Sequence, residues 1–117
     1  MSKKILVIDD EPDIRMFLTT LLAENGYETV TAADGLSGFE IAQREKPDLV
    51  SLDLQMPDKS GTDFYRRITR DPELKDTPII VVSALSGRNL AVKGAVAVFD
   101  KPIDPDKFIE AVEKALS

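Results

Sequence analysis

Polar and charged side chains follow several apolar runs of the sequence, at the point where each run ends. Asp9 and Asp10 come directly after ILVI, and Asp53 comes directly after LVSL. Ser83 follows IIVV, and Lys101 lies two residues beyond AVAVF. If these runs are parallel strands of one sheet, their carboxyl ends meet at one edge and the side chains converge there. The sequence therefore predicts one site that combines three carboxylates, a hydroxyl and an ammonium group.

Three clustered carboxylates are unfavourable unless a positive charge lies among them. At about 4 Å, each pair costs roughly 1–4 kcal/mol, depending on the effective dielectric constant. The chain contains no Cys and no His, so the ligands are oxygens, which favour a hard divalent ion such as Mg²⁺ or Mn²⁺. An ion, a lysine and a hydroxyl donor together can hold a phosphoryl group, and a neighbouring carboxylate can accept it as a nucleophile.

Each of these residues also has an ordinary structural explanation. A single Asp or Ser after a strand commonly caps a helix or forms a turn, and a single Lys is commonly a solvated surface charge. The functional interpretation therefore depends on finding suitable polar residues at four strand ends together, because a residue at one strand end alone is not evidence of a site.

Five short apolar runs predict the strands that would carry these residues: Ile5–Ile8, Glu28–Thr31, Leu49–Leu52, Ile79–Val82 and Ala95–Phe99. Four are almost continuously apolar, as in strands covered on both faces, whereas the second alternates and suits a sheet edge. Amphipathic helical patterns separate most of the runs. The first is expected to begin near Pro12 and end near Gly26, and the last to begin with Asp104 and Pro105. This order predicts a single doubly wound α/β domain of the (βα)5 type.

Length and composition agree with one small domain. The chain has 117 residues, of which 43% are hydrophobic and 31% are charged, and no linker or repeat interrupts it. The formal net charge of -6 disfavours direct nucleic-acid binding, because a phosphate backbone would be repelled. The N-terminal MSKK leads into an apolar run too short for a signal peptide or a membrane span. We expect a cytoplasmic protein that does not enter membranes.

Four motifs together resemble a known family. The stretches ILVIDDEPDIR, PDLVSLDLQMPDKSG, TPIIVVSA and FDKPI are similar to the receiver domain of bacterial two-component response regulators, among them the chemotaxis regulators. The resemblance covers essentially residues 1–117. It implies a flavodoxin-like, five-stranded parallel sheet in the order 2-1-3-4-5.

The resemblance implies a magnesium site and a phosphoryl site that share one carboxylate. Asp10 would bind Mg²⁺ directly and Asp9 largely through water, while Asp53 and the backbone carbonyl of Gln55 would complete the protein ligands. Asp53 would also be the phosphoacceptor.

The resemblance also implies how the phosphoryl group is held and where it comes from. Ser83 would hydrogen-bond it and Lys101 would pair with it, with a cis Lys101–Pro102 peptide. The donor would be a sensor histidine kinase or a histidine phosphotransfer protein, and an unidentified downstream protein would bind after the switch. Such a domain is not a conventional enzyme, because it catalyses only its own phosphorylation and dephosphorylation.

Two features depart from the family pattern. Val98 occupies the position where receivers usually carry an aromatic switch residue, and Phe99, one residue later, would face the other side of its strand. The segment from Ser83 to Lys101 is short by roughly one helical turn, and Gly87 disfavours a helix. We therefore expect a shortened or irregular fourth helix, and signalling through a different or remodelled surface.

Three other functions stay open at this point. Haloacid-dehalogenase-type phosphatases use a similar aspartyl nucleophile, although Gln55 stands where they carry a second Asp. A nucleotide or flavin binder would be expected to carry a glycine-rich phosphate loop, which the sequence lacks. A receiver-like interaction module that is never phosphorylated is the third.

Overall fold

Strands and helices alternate along the chain in the computed structural model, which describes residues 2–54, 60–83 and 95–117. The strands are β1 (Lys4–Ile8), β2 (Glu28–Ala32), β3 (Leu49–Asp53), β4 (Ile79–Ser83) and β5 (Ala97–Asp100). Within the described ranges the helices are α1 (Pro12–Glu24), α2 (Gly35–Glu45), α3 (Ser60–Arg70) and α4 (Pro105–Leu116). The strands are all parallel and form one sheet in the order β2-β1-β3-β4-β5, which confirms the predicted fold class.

The sheet is covered on both faces, and β1 shows how its sequence achieves this. Successive side chains of a strand point to opposite faces, so Leu6 and Ile8 join one apolar cluster while Ile5 and Val7 join the other. Phe64 and Ile68 of α3 complete the first cluster. The second contains buried residues of α1 and α4: Leu18, Leu22, Phe108, Ile109 and Val112. Continuous apolar strands are therefore required here, as the sequence predicted.

The helices begin and end at the residues that the sequence marks. Pro12 stands in the first turn of α1, and Gly26, with a φ of 89°, follows its end. The carboxylate of Asp104 caps α4 by accepting from the amides of Asp106 and Lys107 at 3.0 and 3.2 Å. Among the described helices, none combines the length and the apolar character that crossing a bilayer requires.

The last strand differs from its prediction. It begins at Ala97 rather than Ala95, and it alternates between partly buried and exposed residues instead of being covered on both faces. Val96, just before β5, and Val98, within it, are 53% and 48% exposed, and β5 lies at the edge of the sheet. The ring of Phe99 turns the other way and meets Phe108 edge-on, with centroids 5.7 Å apart.

The position of Val98 and Phe99 on opposite sides of β5 agrees with the sequence analysis. The helix that was predicted to be short or irregular falls on residues 84–94, which lie outside the described residues.

Helix α2 approaches β1 closely at the end of the strand that leads into the site. A Cβ atom added to Gly38 would lie 2.6 Å from Cδ1 of Ile8 and 3.1 Å from its Cγ1. Ile8 is 1% exposed and directly precedes Asp9, so the absence of a side chain at Gly38 lets the helix settle against this strand end.

Candidate functional site

Three carboxylates converge at the carboxyl edge of the sheet. Asp9, Asp10 and Asp53 each offer an oxygen, and these oxygens all lie within 4.8 Å of one another. Asp9 and Asp53 are each 1% exposed, whereas Asp10 is exposed. The sequence predicted this convergence. It occurs because β1 and β3 are adjacent and parallel, so both strands end at the same edge of the sheet.

Asp9 is held by the turn that joins β1 to α1. Its Oδ1 accepts a hydrogen bond from the Glu11 amide at 2.9 Å, and its carbonyl accepts one from Nη1 of Arg15 at 2.6 Å. Its amide donates to the carbonyl of Ala32 at 3.2 Å. Asp9 therefore both forms the turn and belongs to the carboxylate cluster. The structural explanation and the functional one do not exclude each other at this position.

The other oxygen of Asp9 faces the site. Its Oδ2 is buried and accepts no hydrogen bond from any residue in the described ranges, although Nζ of Lys101 lies 3.2 Å away. Lys101 is thus its positive partner among the described residues, and a bound cation would add a second positive charge next to this buried oxygen.

Lys101 directly follows β5, and its side chain extends over the carboxylates. Its Nζ lies 3.2 Å from Oδ2 of Asp9 and 3.4 Å from Oδ2 of Asp53. Its side chain is only 14% exposed. The Lys101–Pro102 peptide is cis, as the resemblance implied.

The surrounding charges keep Lys101 protonated. Burial is the largest single influence and lowers its pKa, but the hydrogen bond with Glu11 and the charges of Asp53 and Asp9 together outweigh it. The net result is a pKa raised above the ordinary value for lysine. Lys101 therefore contributes a fixed positive charge at neutral pH.

Glu11 is a site residue that sequence reasoning missed. Its Oε1 accepts a hydrogen bond from Nζ of Lys101 at 2.8 Å, although 90 positions separate the two residues in the chain. The only signal in the sequence is a third acidic residue after Asp9 and Asp10, which on its own also suits the start of a helix.

For two predicted site residues, Ser83 and Gln55, the structure does not describe the group that would act in the site. The backbone of Ser83 ends β4 opposite Asp100, one residue beyond Val82, which pairs with Asp53. Ser83 therefore lies at the correct edge, while its side chain falls outside the described part of the structure. Gln55 lies outside the described residues, so the roles assigned to its carbonyl and to the Ser83 hydroxyl stay predictions.

The residues present fit a hard divalent cation. The cluster offers oxygen ligands only, which suit Mg²⁺ or Mn²⁺, and Oδ2 of Asp9 accepts no hydrogen bond from the described residues, although it is paired with Lys101. Lys101 offsets part of the negative charge of the cluster without occupying all three carboxylates. The arrangement can thus bring together a metal ion, a nucleophilic carboxylate and a fixed ammonium.

Comparison with known proteins finds relatives and solved structures that match nearly the whole chain. Protein Rrf1 of Nitratidesulfovibrio vulgaris is 35% identical over 117 residues, which span all of this chain and 85% of that protein. Sporulation initiation phosphotransferase F of Bacillus subtilis is 34% identical over 99% of this chain and 95% of its own length. The structure of the chemotaxis response regulator CheY4 of Vibrio cholerae superposes with a TM-score of 0.89, at 28% identity, over 99% of this chain and 100% of that one.

The family profile described as "Response regulator receiver domain" matches residues 5–113. This range contains the three carboxylates, Lys101 and every strand of the sheet except the first residue of β1. The chain therefore belongs to the response regulator receiver domain family.

Proposed function

We propose that residues 1–117 form one receiver domain that accepts a phosphoryl group on Asp53 in a two-component or phosphorelay pathway. The observation that carries the proposal is the position of Asp53. Its carboxylate lies 3.4 Å from Nζ of Lys101 and within 4.8 Å of oxygens of Asp9 and Asp10. A nucleophile for phosphoryl transfer needs this combination, because the charge that develops on the phosphoryl oxygens must be offset nearby.

In the proposed reaction, a carboxylate oxygen of Asp53 attacks the phosphorus atom of a phosphohistidine in line with the leaving nitrogen. The new O–P bond forms as the P–N bond breaks, and the electron pair of that bond stays on the imidazole nitrogen. Hydrolysis later reverses the modification: water attacks the phosphorus atom, inorganic phosphate departs and the carboxylate is regenerated. No oxidant or reductant takes part.

In this proposal, some residues of the site hold the phosphoryl group and others hold the metal ion. Lys101 pairs with a phosphoryl oxygen, and the Ser83 hydroxyl donates a hydrogen bond to another. Asp9, Asp10, Asp53 and the carbonyl of Gln55 would hold Mg²⁺. When bound, Mg²⁺ supplies positive charge to the phosphoryl oxygens. The domain thus acts on itself rather than as a conventional enzyme.

The proposed partners follow from this chemistry. The donor is a sensor histidine kinase or a histidine phosphotransfer protein, and phosphorylation changes binding of a downstream protein. A similar protein of Bacillus subtilis is named a phosphotransferase, which supports a role in phosphoryl transfer between proteins.

Incubation with acetyl phosphate and Mg²⁺, followed by intact mass measurement, tests the proposal. We expect one added phosphoryl group on the wild-type chain, because acetyl phosphate can replace the protein donor in the same in-line attack. The Asp53→Asn variant should gain none, and neither should the wild type in excess EDTA. Asp76→Asn removes an exposed carboxylate that precedes β4, at the end of that strand opposite to the site, and should be labelled like the wild type.

Two outcomes would contradict the proposal. An unchanged wild-type mass would indicate an interaction module that is not phosphorylated. Continuous release of phosphate from small phosphomonoesters would indicate a phosphatase of the aspartyl-nucleophile type.

A further inference from the structure

The Glu11 carboxylate is the acceptor nearest to the Lys101 ammonium among the described residues. Oε1 of Glu11 lies 2.8 Å from Nζ, compared with 3.2 Å for Asp9 and 3.4 Å for Asp53. The shortest contact of the lysine is therefore with a residue to which the proposed phosphoryl transfer assigns no role.

The surroundings of Glu11 differ from those of the other two acceptors. Its side chain is 58% exposed, whereas those of Asp9 and Asp53 are 2% and 1% exposed. A charged group at the surface can change its rotamer at little free-energy cost, because water replaces the partner that it leaves. Glu11 can therefore release the lysine, while the buried carboxylates stay in place.

The start of α1 directs Glu11 towards the site. Glu11 is the N-cap residue of α1, yet its side chain makes no capping hydrogen bond. Its backbone amide is fixed by Oδ1 of Asp9 at 2.9 Å. The turn thus anchors the main chain at this point and leaves the carboxylate free to reach Lys101.

We propose that Glu11 is a positioning residue that holds the Lys101 ammonium at the exposed rim of the site and competes with the phosphoryl group for it. This inference rests on the proposed phosphoacceptor role of Asp53. In the unphosphorylated domain, Glu11 draws Nζ away from Asp53. When a phosphoryl group arrives, Lys101 must turn from Glu11 to a phosphoryl oxygen, so the strength of the Glu11 contact sets how readily the domain becomes phosphorylated.

The test compares the Glu11→Gln and Glu11→Asp variants with the wild type. Gln keeps the length of the side chain but removes its charge, and Asp keeps the charge but is one methylene shorter. Asp is also a favoured N-cap residue, so α1 should form normally. If the contact with Lys101 is what matters, both variants should behave alike. If only the negative charge matters, Glu11→Asp should match the wild type, and the proposal would be wrong.

Two measurements depend on whether Lys101 is available to a phosphoryl group, and not only on whether the chain is folded. The first is the second-order rate constant for phosphorylation by acetyl phosphate with Mg²⁺, measured by intact mass at low donor concentration. The second is the affinity for beryllium fluoride with Mg²⁺, a stable mimic of the phosphoryl group, measured by calorimetry. We expect both quantities to rise by about threefold to tenfold in the two Glu11 variants, the size of one weakened ion pair near the protein surface.

Asp13→Asn is the matched control. It removes one exposed negative charge from the first turn of the same helix, and it should leave both readouts at their wild-type values. An equal gain in the Asp13 variant would show a general charge effect and overturn the proposal. If the wild type is labelled and Glu11→Gln matches it, the role of Glu11 alone fails. If the wild type is never labelled, the proposed function fails first.

Discussion

At the scale of single residues, the three clustered carboxylates have different surroundings. Asp9 is fixed by the turn after β1 through both its carbonyl and Oδ1. Asp53 is buried beside Lys101. Asp10 is exposed, so its charge can be removed with the least disturbance of the folded chain.

The Asp10→Asn variant should separate metal binding from folding. In the wild type, Mg²⁺ at roughly 100 times its Kd should stabilise the folded state by about 2.7 kcal/mol, which raises the midpoint of thermal unfolding. The variant should lose most of this increase because one ligand is missing. Without metal, its midpoint should equal or exceed that of the wild type, since one repulsive charge has been removed. Calorimetric melts with and without Mg²⁺ provide the measurement, and a full Mg²⁺ shift in the variant would contradict the assignment of Asp10.

The sequence predicted the convergence of the carboxylates and Lys101, because strand ends in a parallel sheet share an edge. It did not predict Glu11. The proposed role of that residue depends on a contact between the N-cap of α1 and the residue that follows β5. No local pattern around Glu11 encodes a lysine 90 positions away.

At the scale of elements, the strands were predicted well wherever both faces are covered. β1 and β3 agree with their predicted bounds to within one residue at each end. The run AVAVF looked equally buried, but β5 is an edge strand with one exposed side. An apolar run alone does not reveal whether a neighbouring layer covers it, which explains this difference.

Helix α2 packs closely against β1 where Gly38 meets Ile8. Gly38→Ala should destabilise the fold by about 1 kcal/mol, since overpacking at Ile8 costs roughly 1–3 kcal/mol and the gain in helix propensity returns up to about 1 kcal/mol. Ile8→Val removes the Cδ1 atom that the new methyl group would meet at 2.6 Å, and alone should cost about 0.5–1.5 kcal/mol. The double variant should be more stable than the sum of the two losses implies, by at least about 0.5 kcal/mol. Urea unfolding of the four proteins gives this coupling, and strict additivity would show that the two residues do not interact.

At the scale of the whole molecule, the two ends of the sheet carry different electrostatic arrangements. The carboxyl end holds the acidic site. At the amino end, Nζ of Lys4 lies 2.8 Å from Glu45, which joins β1 to the end of α2. The hydrogen bond from Lys4 is the main cause of a lowered pKa for Glu45. Stability at the amino end can therefore be altered without touching the proposed chemistry.

The pH dependence of unfolding should report the Lys4–Glu45 pair. Because the pKa of Glu45 is lower in the folded chain than its ordinary value of 4.5, its contribution is fully present above that value and is lost as the pH falls through the lowered pKa. The wild type should therefore melt at a higher temperature than Glu45→Gln near pH 7, and this difference should shrink as the pH falls below 4.5. Glu40→Gln, an exposed change on the same helix, should show a smaller difference. A gap between wild type and Glu45→Gln that is independent of pH would contradict the assignment, and phosphorylation by acetyl phosphate should be unchanged in both variants.

The start of α1 has a further consequence for anion selection. Helix starts often bind anions through free main-chain amides, but Pro12 has no amide hydrogen and the amide of Glu11 is already taken by Asp9. Two of the backbone donors that could have met an oxyanion at this rim are thus missing. At the start of α1, attraction of a negatively charged group therefore depends on side-chain cations and bound metal more than on these two positions of the backbone. Such cations can be exchanged or withdrawn, so binding of an anion here would be conditional.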